Sequence, residues 1–435
     1  MTTPDARRTE ATLDRSSTHG GGTAVEVVTI GDELLLGFTI DTNAAHLART
    51  LAGIGVQIVR RTTVGDAASE IARAVEQALD RTGAVITTGG LGPTSDDLTK
   101  QSIATIFGRA MTIDAEHLAW MEERWQKRFG RPLPAPNRHQ AMVPEGAIKL
   151  QNNHGSAPGI WLEDDRGRWV AMLPGVPREM RGMLADTLLP RLVARIDSGL
   201  VVQSRTLRTV GIAESLLAAQ IEAMPGGPLD GSLAYLPSIA GVDLRLTVRD
   251  LPADEARRQL DEGERRLREC VGTSIYGEDD TDLAAIVLDL CRAKELTIGV
   301  AESCTGGLLG ARLTAIPGSS DVVQGGVIAY ANEVKQNLLG VEQSLIEAHG
   351  AVSEEVVRAM AAGARRVAKA RVGIAITGVA GPGGGTADKP VGTVWIGVDI
   401  DGEVVARMFR LWGDRDEIRQ RSAQWAMEML RQRLI

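Results

Sequence analysis

Three times in this chain a short apolar run rich in β-branched residues stops at a glycine-rich polar loop and hands over to a helical pattern. Residues 24–30 end in Gly31-Asp32-Glu33. Residues 84–88 end in a loop over 89–97. Residues 297–300 lead into Glu302-Ser303-Cys304-Thr305-Gly306-Gly307. A strand followed by a helix returns to a neighbouring strand in the same direction, so the repetition predicts an α/β fold with parallel sheets. Ligands in such sheets sit beyond the carboxyl ends of the strands, where all three loops fall. Composition agrees: glycine makes up 49 of 435 residues and aromatic residues only 3%. Tight turns therefore surround an aliphatic core. At roughly 150 residues per domain, the length suggests three domains.

Around these loops the periodicity predicts a helix from Asp41 closed by Gly53 and Gly55, a strand over 57–64, and a helix from near Asp66 or Ser69. After a helix ending near Ile196, a small α+β module follows. Its strands are read over 207–210, 233–237 and 242–248, and its helices over 214–224 and 253–270. The last unit begins with a helix carrying Leu283, Ile286, Val287 and Leu290. Strands are expected over 297–300, 327–330 and 372–376, with a hairpin of 391–399 and 403–409 turning on Asp401-Gly402. Helices are expected over 352–370, capped by Ser353, and over 414–430. The expected domains are 24–197, 198–279 and 280–435, after a disordered tail over 1–23.

Charge and cysteine usage exclude several classes. Lysine plus arginine number 48 and aspartate plus glutamate 56, a net charge of −8. A protein that coats nucleic acid needs a basic excess. Cys270, Cys291 and Cys304 have no CxxC spacing and form no paired framework, which points to a reducing, cytoplasmic compartment. No apolar run approaches the ~18 residues of a membrane span. The polar N-terminus lacks the apolar core of a signal peptide.

Ser303 sits at a strand-to-helix turn, where helix N–H groups can hold an oxyanion or a phosphate. A serine nucleophile needs a base. His349 has no acidic partner indicated by spacing. Lys335, just beyond 327–330, is the other candidate, provided burial lowers its pKa. Cys304 is a rival nucleophile, and a helix cap is the rival role for Ser303. In the first unit Asp32, Glu33, Asp96 and Asp97 gather on two loops at one sheet edge, which suits a hard divalent cation that bridges phosphates. Gly89, Gly90 and Gly92 let backbone N–H groups approach a phosphate, and Asn43 and Lys100 add polar contacts. Helix capping is the alternative for Asp41, Asp96 and Asp97. No His/Cys spacing suggests zinc.

Several motifs resemble those of the CinA family. In the last unit they are 302–307, Gly325-Gly326-Val327-Ile328-Ala329-Tyr330-Ala331-Asn332 with Lys335, His349-Gly350-Ala351-Val352-Ser353-Glu354, and Thr377-Gly378-Val379-Ala380-Gly381-Pro382. In the first unit they are 31–37, Asp41-Thr42-Asn43, 89–97, Asn137-Arg138-His139-Gln140-Ala141, Ala157-Pro158-Gly159 and 173–180. The resemblance implies a molybdopterin-binding-like three-layer domain, a small KH-type linker and an α/β nicotinamide mononucleotide deamidase domain. It implies Ser303 as nucleophile, Lys335 as its general base and Tyr330 as an orienting group. Thr305, Gly306, Thr377, Gly378 and Arg415 or Arg419 would meet the ligand, with no cofactor.

For the N-terminal domain the resemblance implies a metal-dependent ADP-ribose pyrophosphatase yielding AMP and ribose 5-phosphate. Asp96 and Asp97 would hold a divalent metal (Mg, Mn or Co), and Asp32, Glu33, Asn43, Gly90, Gly92 and Lys100 the nucleotide. A homodimer is also implied. The rivals are molybdopterin binding or adenylylation by the N-terminal domain, and a non-enzymatic adaptor in DNA uptake. The acidic loop over 225–231 lacks the GxxG clamp of RNA-binding KH modules, which predicts a spacer or a dimer contact.

Overall fold

A computed structural model of the chain describes residues 24–94, 96–195, 199–227 and 232–435. The expected tail over 1–23, Ser95, the helix end near Ile196 and the tip of the 225–231 loop lie outside the described residues. The chain divides into two compact units, Met1–Gln203 with Arg249–Ala256, and Ser204–Val248 with Arg257–Ile435.

The first unit contains β1 (Ala24–Ile30), β2 (Gln57–Val64), β3 (Ala84–Thr88), β4 (Met111–Ile113), β5 (Met142–Pro144), β6 (Ile148–Leu150), β7 (Gly159–Glu163) and β8 (Trp169–Leu173). Among the described residues six of them form one sheet in the order β2-β1-β3-β8-β7-β6, and β4 pairs with β5. The first four strands of that order are parallel, while β7 runs antiparallel to both of its neighbours, β8 and β6. The parallel expectation therefore holds for part of the sheet only. The connections β6 to β7 and β7 to β8 are too short for the crossover that a parallel pair requires.

Side-chain alternation along β1 builds two cores. Val25 and Val27 pack with Leu47 and Leu51 of helix Thr42–Ala52 and with Met180 of helix Pro177–Met183. Val28 and Ile30 pack with Ile71 and Val75 of helix Ala68–Thr82 and with Ile103 of helix Thr99–Ile106. Each such fully buried valine or isoleucine stabilises the three-layer stack by roughly 1.5–3 kcal/mol. Asp41 caps its helix by accepting the Ala44 N–H. Because β1 lies between β2 and β3, the chain departs from it in opposite directions, and a crevice opens at its carboxyl end. Gly89 closes the back of that crevice. Its Cα packs so tightly that a Cβ would lie 2.1 Å from the Ile30 carbonyl oxygen. The segment read as the loop Gly31-Asp32-Glu33 instead starts a single helical turn, Asp32–Leu35, closed by the Leu36 N–H on the Asp32 carbonyl.

The second unit holds most of β9 (Leu200–Thr209), then β10 (Leu233–Pro237), most of β11 (Val242–Pro252) and β12 (Ile275–Glu278), a sheet in the order β10-β11-β9-β12. Both β9 and β11 outrun the expected 207–210 and 242–248. Then come β13 (Ile298–Glu302), β14 (Val323–Ile328), β15 (Val372–Gly378), β16 (Thr393–Ile400) and β17 (Glu403–Arg410), in the order β14-β13-β15-β16-β17. The first three are parallel, and the last two form the expected hairpin.

Helix Glu354–Val367, capped by Ser353, covers one face of this sheet. Helices Leu283–Ala293, Leu308–Thr314 and Arg415–Leu434 cover the other. Glycine has a use here that its loop pattern does not announce. A Cβ at Gly299, Gly373 or Gly397 would lie 2.6, 2.0 or 2.9 Å from a carbonyl oxygen of helix Glu354–Val367. The helix backbone rests directly on three strands. No helix among the described residues is long and apolar enough to cross a membrane.

Candidate active site

In the second unit β13 lies between β14 and β15 and opens the same kind of crevice as β1. Ser303 follows β13 directly, and its N–H donates to the Ile376 carbonyl of β15 at 2.9 Å. Lys335 arrives from helix Asn332–Asn337, just after β14. Its Nζ donates to Ser303 Oγ at 3.3 Å, to the Ala329 carbonyl at 2.7 Å and to the Tyr330 carbonyl at 3.2 Å. Lys335 is 1% exposed. Burial holds its amine below the ordinary lysine value, against a smaller opposing effect of Cys304. A lysine that gives up its proton within reach of a serine hydroxyl can act as its general base.

The rivals for this chemistry have other employment. Cys304 belongs to the hydrophobic core, and burial pushes its thiol up to about 12, so little thiolate exists at neutral pH. His349 does have an acidic neighbour, Glu355 at 3.5 Å, which its spacing did not indicate, and its carbonyl accepts the Lys389 amine. Ser303 is not the cap of helix Leu308–Thr314. That task falls to Glu302, which ends β13 rather than lying in the loop. Its buried carboxylate accepts the N–H groups of Gly307, Leu309 and Gly310 at 3.0, 3.0 and 2.8 Å. A carboxylate at a helix N-terminus complements the helix dipole. The amides read as a cradle for an incoming anion are thus already holding an internal one.

The other expected ligand residues divide between framework and cleft. The Gly306 N–H donates to the Ser303 carbonyl, while Thr305 Oγ1 is buried without a partner among the described residues. Thr377 Oγ1 donates to the Ala351 carbonyl at 2.8 Å, and Gly378 ends β15 beside it. The Tyr330 ring is exposed and its hydroxyl accepts from Arg415 at 3.0 Å. Tyr330 therefore steadies Lys335 through its carbonyl rather than through its phenol. Arg415 also donates to the Gly381 carbonyl and lines a cleft of about 650 Å³ with Ala380 and Pro382. Arg419 spends its guanidinium on the Thr305 carbonyl and on Asp416.

In the first unit, a cleft of about 800 Å³ lies against the 92–97 loop, lined by Gly92, Thr94, Asp97, Lys100 and His139 among others. Asp97 shapes this loop: Oδ1 accepts the Gly92 N–H at 2.7 Å, and Oδ2 accepts the Thr94 N–H at 2.8 Å and its hydroxyl. The Gly89 N–H donates to the Leu173 carbonyl. Of the three glycine amides read as phosphate donors, two are committed, and Gly90 is left among the described residues.

Lys100 is buried, donating to the His139 and Gln140 carbonyls, and burial lowers its amine to about 8. Asn43 Nδ2 ties the Thr88 hydroxyl to the Gly175 carbonyl, and its buried Oδ1 has no partner among the described residues. Asp32 exchanges hydrogen bonds with Asp66, a residue sequence reading passed over as a helix start, and Glu33 is exposed. Asp96 is exposed as well. Among the described residues no three His, Cys, Asp or Glu side chains gather as metal ligands. With Asp97 committed to three hydrogen bonds from its own loop and Asp96 exposed, the donor set does not fit a prebuilt divalent-cation site.

Comparison with known proteins gives this architecture relatives. Residues 26–194 match the family profile described as "Probable molybdopterin binding domain", 204–277 that of the damage-inducible protein CinA KH domain, and 280–434 that of the CinA C-terminal domain. A CinA-like protein of Gemmatimonas aurantiaca is 64% identical over 408 residues, covering 94% of this chain and 95% of its own. A CinA-like protein of Salinibacter ruber is 43% identical over 410 residues, covering 94% and 99%. With all three profiles in order and relatives matched along nearly their whole length, the chain belongs to the CinA family.

Proposed function

We propose that the protein is a two-site hydrolase of pyridine-nucleotide metabolites. In the C-terminal site Ser303 Oγ attacks the carboxamide carbon of nicotinamide mononucleotide while Lys335 takes the hydroxyl proton. The tetrahedral intermediate collapses as Lys335 returns that proton to the departing nitrogen. Ammonia leaves and an acyl ester remains on Ser303. Water, deprotonated by the same amine, releases nicotinate mononucleotide and restores the serine. The observation that carries this reading is the buried Lys335 amine 3.3 Å from Ser303 Oγ. Arg415, exposed in the adjoining cleft, is a cation suited to the ligand phosphate.

In the N-terminal site ADP-ribose is split to AMP and ribose 5-phosphate. The support is a cleft at a sheet switch point in which buried Lys100 lies beside the 92–97 loop. The described residues hold no prebuilt cluster of metal ligands. A cation that serves the cleavage arrives with the pyrophosphate, since Mg²⁺ commonly keeps its waters and is shared between one or two carboxylates and substrate phosphates. The family profile over 26–194 favours a second reading of this unit, molybdopterin binding.

Product analysis with nicotinamide mononucleotide and ADP-ribose, with and without EDTA, tests the whole reading. The expected products are nicotinate mononucleotide with equimolar ammonia under both conditions, and AMP with ribose 5-phosphate only without chelator. Molybdopterin binding with no ADP-ribose cleavage would replace the pyrophosphatase by the second reading.

A further inference from the structure

We propose that His139 is the general base of the N-terminal site, the group that takes a proton from the water that splits the pyrophosphate. The inference rests on the pyrophosphatase reading and adds to it a residue with a stated task.

The cleft of about 800 Å³ in the first unit is where such a base would stand. Among its described lining residues three side chains readily exchange protons: Asp97, Lys100 and His139. Asp97 spends both carboxylate oxygens on the Gly92 N–H and on the Thr94 N–H and hydroxyl. A carboxylate filled by its own loop has little left for a water. Lys100 is 5% exposed and, with its amine lowered to about 8, is mostly ammonium at neutral pH. It serves there as a donor. His139 is exposed, and its imidazole makes no hydrogen bond or ion pair among the described residues. Histidine is the side chain whose ordinary chemistry suits proton transfer near neutrality.

The backbone beneath that imidazole is held from several sides. His139 belongs to the short 3-10 helix Ala135–Ala141, and its carbonyl accepts Lys100 Nζ at 2.8 Å and the Met142 N–H. The Gln140 carbonyl accepts the same Nζ at 3.3 Å, and the Ala141 carbonyl accepts the Asp114 N–H at 2.9 Å. The buried Gln140 side chain accepts the Ser156 hydroxyl at 3.3 Å. Burying an ammonium is costly unless it is hydrogen-bonded. Here its hydrogen bonds fix the backbone of a cleft residue, which is what a positioned base requires.

In the step itself, the imidazole takes one proton of the water as the water oxygen bonds to a phosphorus of the pyrophosphate. The bridging P–O bond breaks, and its oxygen leaves with the electron pair on the other phosphate. AMP and ribose 5-phosphate result, and the imidazolium gives its proton to the departing phosphate or to solvent.

Steady-state cleavage of ADP-ribose by the full chain tests the assignment. Wild type, His139→Ala and His139→Gln are compared with and without added imidazole, each with its thermal transition recorded. The expected result is a kcat lower by at least about a hundredfold in both variants, the lower end of what a positioned base contributes. KM should stay within about threefold. Glutamine keeps a polar side chain but cannot take the proton, so it separates proton transfer from polar contact. Imidazole should raise the kcat of His139→Ala at least tenfold and leave wild type unchanged. Near wild-type turnover in the variants, a raised KM with kcat kept, or no rescue by imidazole would overturn the base while the pyrophosphatase reading stands. A wild-type chain that leaves ADP-ribose intact would overturn that reading and the base with it.

Discussion

Lys335 concentrates the residue-scale argument. Two backbone carbonyls favour its ammonium form, burial favours the amine, and burial wins. With the pKa lowered, the free base grows as pH rises through a value below the ordinary lysine 10.5. The kcat/KM for deamidation should therefore climb with pH along a limb centred below 10.5, and Lys335→Met should lose that limb. A limb centred at or above 10.5 would contradict the base assignment. The same shift means that the unfolded chain binds this proton more readily, so stability rises with pH between the folded and unfolded values.

Glu302 supports a second prediction. A neutral amide cannot serve three N–H donors as a carboxylate does, so Glu302→Gln should cost roughly 1–3 kcal/mol in urea unfolding. An unchanged midpoint would remove its capping role. Ser303 and Lys335 were legible because a motif carries them. Glu302 was not, because its role depends on β13 (Ile298–Glu302) running two residues past the expected strand, 297–300.

At the scale of elements, packing of helix Glu354–Val367 on β13, β15 and β16 depends on missing side chains. Gly373→Ala puts a methyl group where the Ala361 carbonyl lies. Overpacking of this kind costs typically 1–3 kcal/mol, which urea unfolding should register. Gly383→Ala, with open space around its Cα, should stay within about 0.5 kcal/mol. Equal effects at the two positions would refute the close-packing account.

The expected strands 57–64 and 84–88 coincide with β2 and β3: β3 is buried along its whole length, while β2, which has no fully buried residue, is rich in β-branched residues. The start of β9 was not legible, because its exposed and half-buried residues follow no regular period. The antiparallel edge of the first sheet was equally hidden, since β6 has three residues and β7 five.

At the scale of the whole molecule, two sheets each place a central strand between parallel neighbours, and each opens a crevice at that strand's carboxyl end. The proposed activities therefore use separate residues and should fail separately. Asp97→Asn weakens the bonds that hold Gly92 and Thr94 in the loop. It should reduce ADP-ribose cleavage at least tenfold while leaving deamidation within twofold, both assayed on one preparation. Parallel loss of both activities would show that the two sites are coupled. The net charge of −8 is no obstacle to phosphate-bearing small molecules, because their recognition needs only a few local donors and cations.

The central claim is that Ser303, activated by Lys335, performs the deamidation. Ammonia release from nicotinamide mononucleotide by the wild-type chain and by Ser303→Ala, with matched thermal transitions, tests it most directly. The account predicts that the variant loses at least about a thousandfold in turnover, the scale on which removal of a catalytic nucleophile acts. A folded Ser303→Ala chain that releases ammonia at near wild-type rate would contradict it.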